Sequence, residues 1–283
     1  MDLIDLHTHS TCSDGLLSPV ELVDLARTAG LRALALTDHD TVDGIGEALE
    51  HGRSIGLEVV AGLEVSAWHD HIPMHILGYC FDPGHAGLRE RLERVQQGRH
   101  ERNVRIVEKL RQLGIDVSME LLGEISGRGQ TGRPHIARML VELGAVPTVE
   151  LAFTRYLRRG AAAYMERFRY RADEAIAMIG EAGGVAVLAH PSAIDPAPAS
   201  LEEVLAGLKR AGLTGIEALY PGHSAKTVRQ LRRLAEKLDL LITGGSDFHG
   251  DRRSGAVLAG GSSGILVPYR LLEEMKARAG AGG

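Results

Sequence analysis

Thiols are nearly missing from this chain, and aromatic residues are scarce. Of its 283 residues only Cys12 and Cys80 are cysteine. They offer neither a disulfide framework nor the CxxC spacing of a thiolate metal knot. Any metal site must therefore be built from nitrogen and oxygen. Aromatic residues make up 4% of the chain and its formal net charge is −5. That composition speaks against binding duplex DNA and favours a small anion or an oligonucleotide end. No apolar run is long enough to cross a bilayer, so no membrane association is expected. A Walker-type phosphate loop is also absent, which argues against ATP use. The opening Met1-Asp2-Leu3-Ile4-Asp5 lacks the basic and apolar stretches of a secretory signal, so a cytoplasmic location is expected.

What is present fits a soluble globular protein. Hydrophobic residues make up 44% and the mean hydropathy is −0.04, enough for one large α/β barrel or a core with an insertion. Charge is uneven along the chain. Residues 86–171 hold 17 Lys and Arg against 10 Asp and Glu, a local +7 that leaves −12 for the remainder. All but one of those cations are arginine, whose planar fork suits phosphate oxygens. The asymmetry suggests a basic wall facing an anionic substrate, with a solvated helical face as the alternative.

Short apolar runs at residues 3–6, 33–37, 57–63, 74–79, 185–189, 215–219 and 240–243 read as buried strands. Helix-like segments lie between most of them. Ser18, Pro19 and Glu21 form a capping box with proline at the first helical position, and Gly30 marks the stop. Further helices are expected near 44–56, 172–183, 201–212 and 224–238. The alternation predicts an α/β fold with a parallel, irregular barrel and function at the carboxyl ends of the strands. About a hundred residues between the fourth and fifth strands show helical periodicity at 88–113, 132–143 and 149–157. They predict a basic helical cap at 86–171, inserted into a barrel made of 1–85 and 172–283. The Gly-rich stretch 255–264 and the Ala-Gly-Ala-Gly-Gly end are expected to be loop and frayed tail.

Histidines and carboxylates recur at the strand ends. Asp5-Leu6-His7-Thr8-His9 closes the first, with Asp14 in a Ser-Asp-Gly turn beyond it. In a strand, i and i+2 share a face, so His7 and His9 can reach one ion. Asp38-His39-Asp40 follows the second strand, Glu64 the third, and His75 lies in the fourth; His190-Pro191 follows the fifth and Asp247-Phe248-His249 the seventh. One buried histidine is usually a satisfied polar group, whereas this joint pattern points to a catalytic metal centre of imidazole and carboxylate. His51, His85 and His100 read as surface, and His69 and His71 as loop residues. Asp5, Asp38 and Asp40 are expected to orient ligands by accepting imidazole N–H bonds. Leaving-group protonation needs an acid, and His223 and His135 are the histidines near the expected mouth.

With these motifs the chain resembles the PHP family, the polymerase and histidinol phosphatase metallophosphoesterases, over nearly its whole length. The resemblance implies a distorted (β/α)7 barrel with three metal ions. By motif, His7, His9, Glu64 and Asp247 would hold the first ion. Glu64 would bridge to a second held by His75 and His190. Asp14, His39 and His249 would hold the third, with Asp14 where some members have histidine. Manganese is the expected metal, ahead of iron or zinc. The Gly132-Arg133-Pro134-His135 stretch resembles a signature of the nucleotide-type subgroup. There Arg133, His135 and His223 would contact substrate, and Arg128, Arg158 and Arg169 would seat a second phosphate. The implied reaction is removal of the 3′-phosphate from nucleoside 3′,5′-bisphosphates, with trimming of short RNA from its 5′ end as a related activity. Histidinol-phosphate hydrolysis and a non-catalytic metal-binding module are the alternatives. The sequence leaves the oligomeric state open.

Overall fold

Seven strands run side by side in the order β1-β2-β3-β4-β6-β7-β8, and β5 pairs with the outer part of β3. They are β1 (Ile4–Asp5), β2 (Ala33–Leu36), β3 (Glu58–His69), β4 (Ile72–Tyr79), β5 (Tyr170–Arg171), β6 (Val185–Leu188), β7 (Gly215–Leu219) and β8 (Leu241–Gly244). The computed structural model describes residues 2–127, 129–194, 198–250, 257–259 and 265–280. The first and last strands meet: Leu6 N–H donates to Gly244 O at 3.3 Å, Asp247 N–H to His7 O at 2.8 Å and His9 N–H to Phe248 O at 2.9 Å. Gly245 permits this closure, since a Cβ there would come within 2.4 Å of His7.

All seven expected strands form, but the barrel is not all parallel. β3 and β4 are antiparallel, and so are β4 and β6; the other neighbouring pairs are parallel. Only Asp70 and His71 separate β3 from β4. A parallel return needs a crossover of a dozen residues or more, so a two-residue turn forces reversal. Both turn residues have positive φ, 47° and 66°, as a two-residue hairpin requires. β3 also continues to His69, which places Glu64 inside a long strand and not after a short one.

The barrel interior is filled by Ile4, Leu6, Ala33, Ala35, Val60, Leu77, Tyr79, Val185 and Val187, and Leu271, Leu272 and Met275 of α10 (Arg270–Gly280) join the same cluster. Tyr79 Oη–H satisfies its buried hydroxyl by donating to Leu6 O at 2.7 Å. Outside the sheet lie α1 (Pro19–Thr28), α2 (Ile45–Ile55), α7 (Ala172–Glu181), α8 (Pro198–Arg210) and α9 (Ala225–Lys237). The capping box expected for α1 is formed, with Glu21 N–H on Ser18 Oγ and Ser18 N–H on the Glu21 carboxylate.

Residues between β4 and β5 form α3 (Ala86–Gln112), α4 (Met119–Ser126), α5 (Arg133–Glu142) and α6 (Val149–Ala152), which runs on as a π-helical turn at Phe153–Leu157. α3 belongs to two cores. Leu88, Leu92 and Val95 pack with the barrel and α7, whereas Ile106, Val107 and Leu110 pack with Leu122, Ile136, Met139 and Leu140 of the inserted helices. The insertion leans on the loop after β1, where Gln130 N–H donates to Cys12 O at 2.9 Å and Arg138 Nη2–H to Asp14 O at 3.2 Å. A Cβ on Gly129 would meet Thr11 O at 2.0 Å, so only glycine allows that approach. Most of the stretch 255–264 and the last three residues lie outside the described residues. Among the described residues no helix is long and apolar enough to cross a membrane.

Candidate metal centre

Glu64 is the centre of the site. It is fully buried, with His7 Nε2 and His9 Nε2 each 3.2 Å and His39 Nδ1 3.0 Å from its Oε2. His75 Nδ1 lies 2.8 Å and His190 Nε2 3.1 Å from its Oε1. Asp247 Oδ1 is 3.4 Å from His7 Nε2 and 3.2 Å from His9 Nε2. A second carboxylate, Asp14, sits 3.2 Å from His249 Nε2 and 3.9 Å from His39 Nε2. Ligand atoms fall into three groups, each within 4.8 Å: His7, His9, Glu64 and Asp247; His39, Glu64 and His75; and His9, Asp14, His39 and His249. Eight of the nine residues singled out in the sequence fall in these groups, with His9, His39 and Glu64 each in two. The ninth, His190, stands against Glu64 Oε1 instead, and His39 takes its expected place in the second group.

The donor set fits hard or borderline cations. His7 Nε2, His9 Nε2, His39 Nδ1, Glu64 Oε2 and Asp14 Oδ1 are buried and lack a hydrogen bond of acceptable geometry despite these short separations. Such atoms are expensive to bury unless something else satisfies them. Burial alone would raise the carboxylates, yet the surrounding imidazoles hold Glu64, Asp14 and Asp247 well below the usual range. They are anionic at neutral pH. Burial would lower His7 and His9, but Glu217, Glu64 and Asp247 hold His7 well above its ordinary value, and the nearby Asp247 and Glu64 carboxylates push His9 up to about 10. His39 is pulled down to about 3, chiefly by burial.

The loops that carry these groups are strained in the same way. Asp40, His190 and Asp247 have φ of 55°, 25° and 55°, conformations that non-glycine residues adopt only when their surroundings impose them. Glu217 supplies part of that constraint, and sequence reasoning missed it. Wholly buried in β7, its Oε1 lies 2.9 Å from His7 Nδ1 while its Oε2 accepts from His190 N–H at 2.7 Å. The signal was a lone charge inside the apolar run Gly215-Ile216-Glu217-Ala218-Leu219. Tyr220 Oη–H donates to Asp247 Oδ2 at 3.2 Å and was missed as well.

The three acids expected to hold imidazoles do other work. Asp38 accepts from Ser10 N–H, Ser10 Oγ–H and Ser13 Oγ–H, and Asp5 from the backbone N–H groups of His7, Ser246 and Ala259. Asp40 accepts from Ser66 N–H at 2.7 Å and pairs with Arg99 and Arg167. His51 pairs with Asp24, and His85 accepts from Leu88 N–H at the start of α3.

Beside the cluster lies a cavity of about 210 Å³, lined by Asp14, His39 and His75 together with Arg99, Arg102, Arg133, Arg167 and Arg169. Arg99 and Arg102 are buried on α3, in the stripe Leu88, Leu92, Val95, Arg99, Arg102, Ile106, Leu110 where apolar residues belong; that break in periodicity was the legible signal. Burial, then repulsion from Arg99, Arg167, Arg133 and Arg169, holds Arg102 well below its ordinary value, and burial with Arg99 pulls Arg167 down to about 9. Arg99 Nε, Arg102 Nη2 and Arg167 Nη1 are buried without a hydrogen-bond partner.

Of the arginines named from sequence, Arg133 and Arg169 line this cavity. Arg158 is exposed as the extended residue that ends the π-helical turn and does not line the cavity; Arg128 lies outside the described residues. His135 is buried in α5, and its Nδ1 accepts from Gly132 N–H at 3.0 Å. Burial, with Arg138 nearby, takes it down to about 4. It is therefore neutral, with its proton on Nε2, and suited to capping the helix more than to acid catalysis. His223 stands after β7, its Nδ1 3.0 Å from Ala218 O and its Nε2 buried without a partner.

The chain is similar to known proteins over most of its length. The chain is 36% identical over 245 residues to the 5′-3′ exoribonuclease of Haemophilus influenzae, covering 87% of this chain and 89% of that protein. It is 34% identical over 254 residues to the 3′,5′-nucleoside bisphosphate phosphatase of Chromobacterium violaceum, covering 89% of each. A crystal structure from Bifidobacterium adolescentis, described as a metal-dependent phosphoesterase, superposes with a TM-score of 0.87 at 31% identity, over 98% of this chain and 96% of that one. The PHP domain pattern matches residues 5–185, and with it the barrel and its histidine–carboxylate cluster establish that this chain belongs to the PHP family.

Proposed function

We infer that the protein is a metal-dependent phosphoesterase that removes the 3′-phosphate from nucleoside 3′,5′-bisphosphates and leaves the 5′-monophosphate. One observation carries this reading. A single cavity is lined both by Asp14, His39 and His75 of the carboxylate–imidazole cluster and by five guanidinium groups, so one small molecule can place one anionic group at the cluster and another at the arginines. The same two positions suit the 5′-phosphorylated end of a short RNA. The related proteins from Chromobacterium violaceum and Haemophilus influenzae carry names for these two activities.

In this reading His7, His9, Glu64 and Asp247 hold one divalent ion. Glu64, His75 and His190 hold a second beside His39, and Asp14, His39 and His249 hold a third. Manganese is the first choice, with iron and zinc behind it. Bound there, the ions would supply Lewis acidity toward water and the phosphoryl oxygens. The chain's own groups do the rest. Asp40 anchors Arg99 and Arg167, while Arg102, Arg133 and Arg169 add N–H donors for the phosphate that is not cleaved. His223, as its imidazolium, is the proton donor: Nδ1–H is tied to Ala218 O, and Nε2–H, buried without a partner, passes its proton to the departing oxygen. The proposal includes a cytoplasmic site of action, where Cys12 and Cys80, both free, would stay reduced.

The test is phosphate release from adenosine 3′,5′-bisphosphate by manganese-loaded protein, with chromatography of the nucleotide product. AMP that retains its 5′-phosphate, formed in a reaction that a chelator stops, is the expected result. No release from protein shown to contain its metal would overturn the reading. Glu217 offers a second check, because it fixes the ring of His7 and the backbone of His190. Glu217→Gln is expected to weaken manganese binding about 10- to 100-fold in competition with a chromogenic chelator. Undiminished affinity would mean that Glu217 has no part in holding these ligands.

A further inference from the structure

The outer part of the β3–β4 hairpin, flanked by β5, has two faces that differ. Val65 and Ala67 of β3, with their cross-strand partners Ile76 and Met74, are buried in the outer core. The opposite face carries Glu64, then Ser66 opposite His75, then Trp68 opposite Pro73. Ser66, His75 and Pro73 line the cavity. Directly paired residues share a face, so Trp68 lies on the Ser66 face of the hairpin, two residues further along β3 and beyond the residues that line the cavity. It is only half-buried there, and Pro73 beside it is exposed. His71 stacks on the indole with ring centroids 5.7 Å apart and planes at 19°; among the described residues this is its only ring contact. Parallel pairing with β5 sets Ala67 against Tyr170 and Trp68 against Arg171, so Arg169 joins the same rim next to Ser66.

We propose that Trp68, backed by His71, is the surface on which the nucleobase of the substrate stacks. The inference rests on the bisphosphate reading, in which the cluster and the arginines take the two phosphates. Both phosphates are then held by residues that line the cavity, and the base has to lie beyond them, on the hairpin face that carries Ser66 and this chain's sole tryptophan. Every base offers a π-face to an indole, so the surface selects for nucleosides over other bisphosphates without choosing among bases.

Because Trp68 is the only tryptophan, its fluorescence reports on the proposed stack directly. Manganese-loaded protein is titrated with AMP and with ribose 5-phosphate, and quenching is expected with AMP alone. Steady-state kinetics on adenosine 3′,5′-bisphosphate and on a base-free deoxyribose 3,5-bisphosphate give the second arm. For Trp68→Ala, KM on the nucleotide should rise about 5- to 150-fold, the effect of losing one base stack, with kcat kept and KM on the base-free compound unchanged. Trp68→Phe should recover most of the loss. An equal rise on both substrates would assign Trp68 to hairpin structure, and no rise on the nucleotide, or no quenching by AMP, would overturn the proposal. If wild-type protein releases phosphate from neither compound, the bisphosphatase reading fails, and quenching by AMP but not by ribose 5-phosphate still decides the stack.

Discussion

Exchange of Glu64 for glutamine is expected to lower turnover about a thousandfold, the equivalent of about 4 kcal/mol of lost transition-state stabilisation. No other residue in the cluster faces so many ligands. Its two oxygens lie 2.8–3.2 Å from nitrogens of His7, His9, His39, His75 and His190. An amide of the same shape carries no charge, and one of its ends presents N–H groups where imidazole lone pairs converge. Both the first and the second ion sites would lose their shared anion. Metal content per chain should therefore fall together with phosphate release, measured by elemental analysis and a phosphate assay on the same preparation. A variant with its full complement of metal and turnover within about tenfold of wild type would show that Glu64 is not the bridge.

Exchange of Asp40 for asparagine should act on the arginines. Asp40 is fully buried and pairs with both Arg99 and Arg167, two guanidinium groups that the protein has also taken out of water. Removing one partner of a buried pair strands the others, at a cost of about 3–5 kcal/mol. For a chain of this size that corresponds to a fall in Tm of about 10 °C. KM should rise as well, since the arginines lose the anchor that aims them at the cavity. The sign with pH follows from the direction of the shift. Burial would raise Asp40, but Arg99 and Arg167 outweigh it and hold its carboxyl well below the usual range. Its contribution is complete above the unfolded carboxylate value of about 3.9 and is lost as pH falls through the lower folded value. The gap in Tm between wild type and Asp40→Asn should therefore be widest near neutrality and shrink below about pH 4. A gap that is absent at neutral pH, or that stays constant into acid, would contradict the pairing.

How much of this was legible beforehand depended on range. The ligand motifs could be read because each is local. His7 and His9 share a strand face, and Asp247 and His249 follow one short apolar run, so spacing alone announces their chemistry. The α1 capping box could be read for the same reason. The reversal of β4 was readable only in part: two residues at 70–71 exclude a parallel return, but the strands' true lengths were hidden because Glu64 interrupts the apolar run. The cavity arginines were harder. Arg99 and Arg102 are far in sequence from Asp14 and His39, and a charged residue on a long helix usually faces water.

The amino-acid sequence by itself determined the class of chemistry. It pointed to imidazole and carboxylate without thiolate as the candidate ligands, to alternating strands and helices, and to positive charge gathered in residues 86–171. Tertiary structure alone decided which groups share a cavity. It put Glu217 against His7 and His190, gave Asp40 to two arginines instead of an imidazole, left Arg158 exposed, made His135 a helix cap, and paired Trp68 with Pro73 on the face that carries Ser66. The physical reason is that a side chain's chemistry belongs to its residue type, whereas its partners and its burial are set by contacts between segments that meet only when the barrel closes and the insertion docks on it.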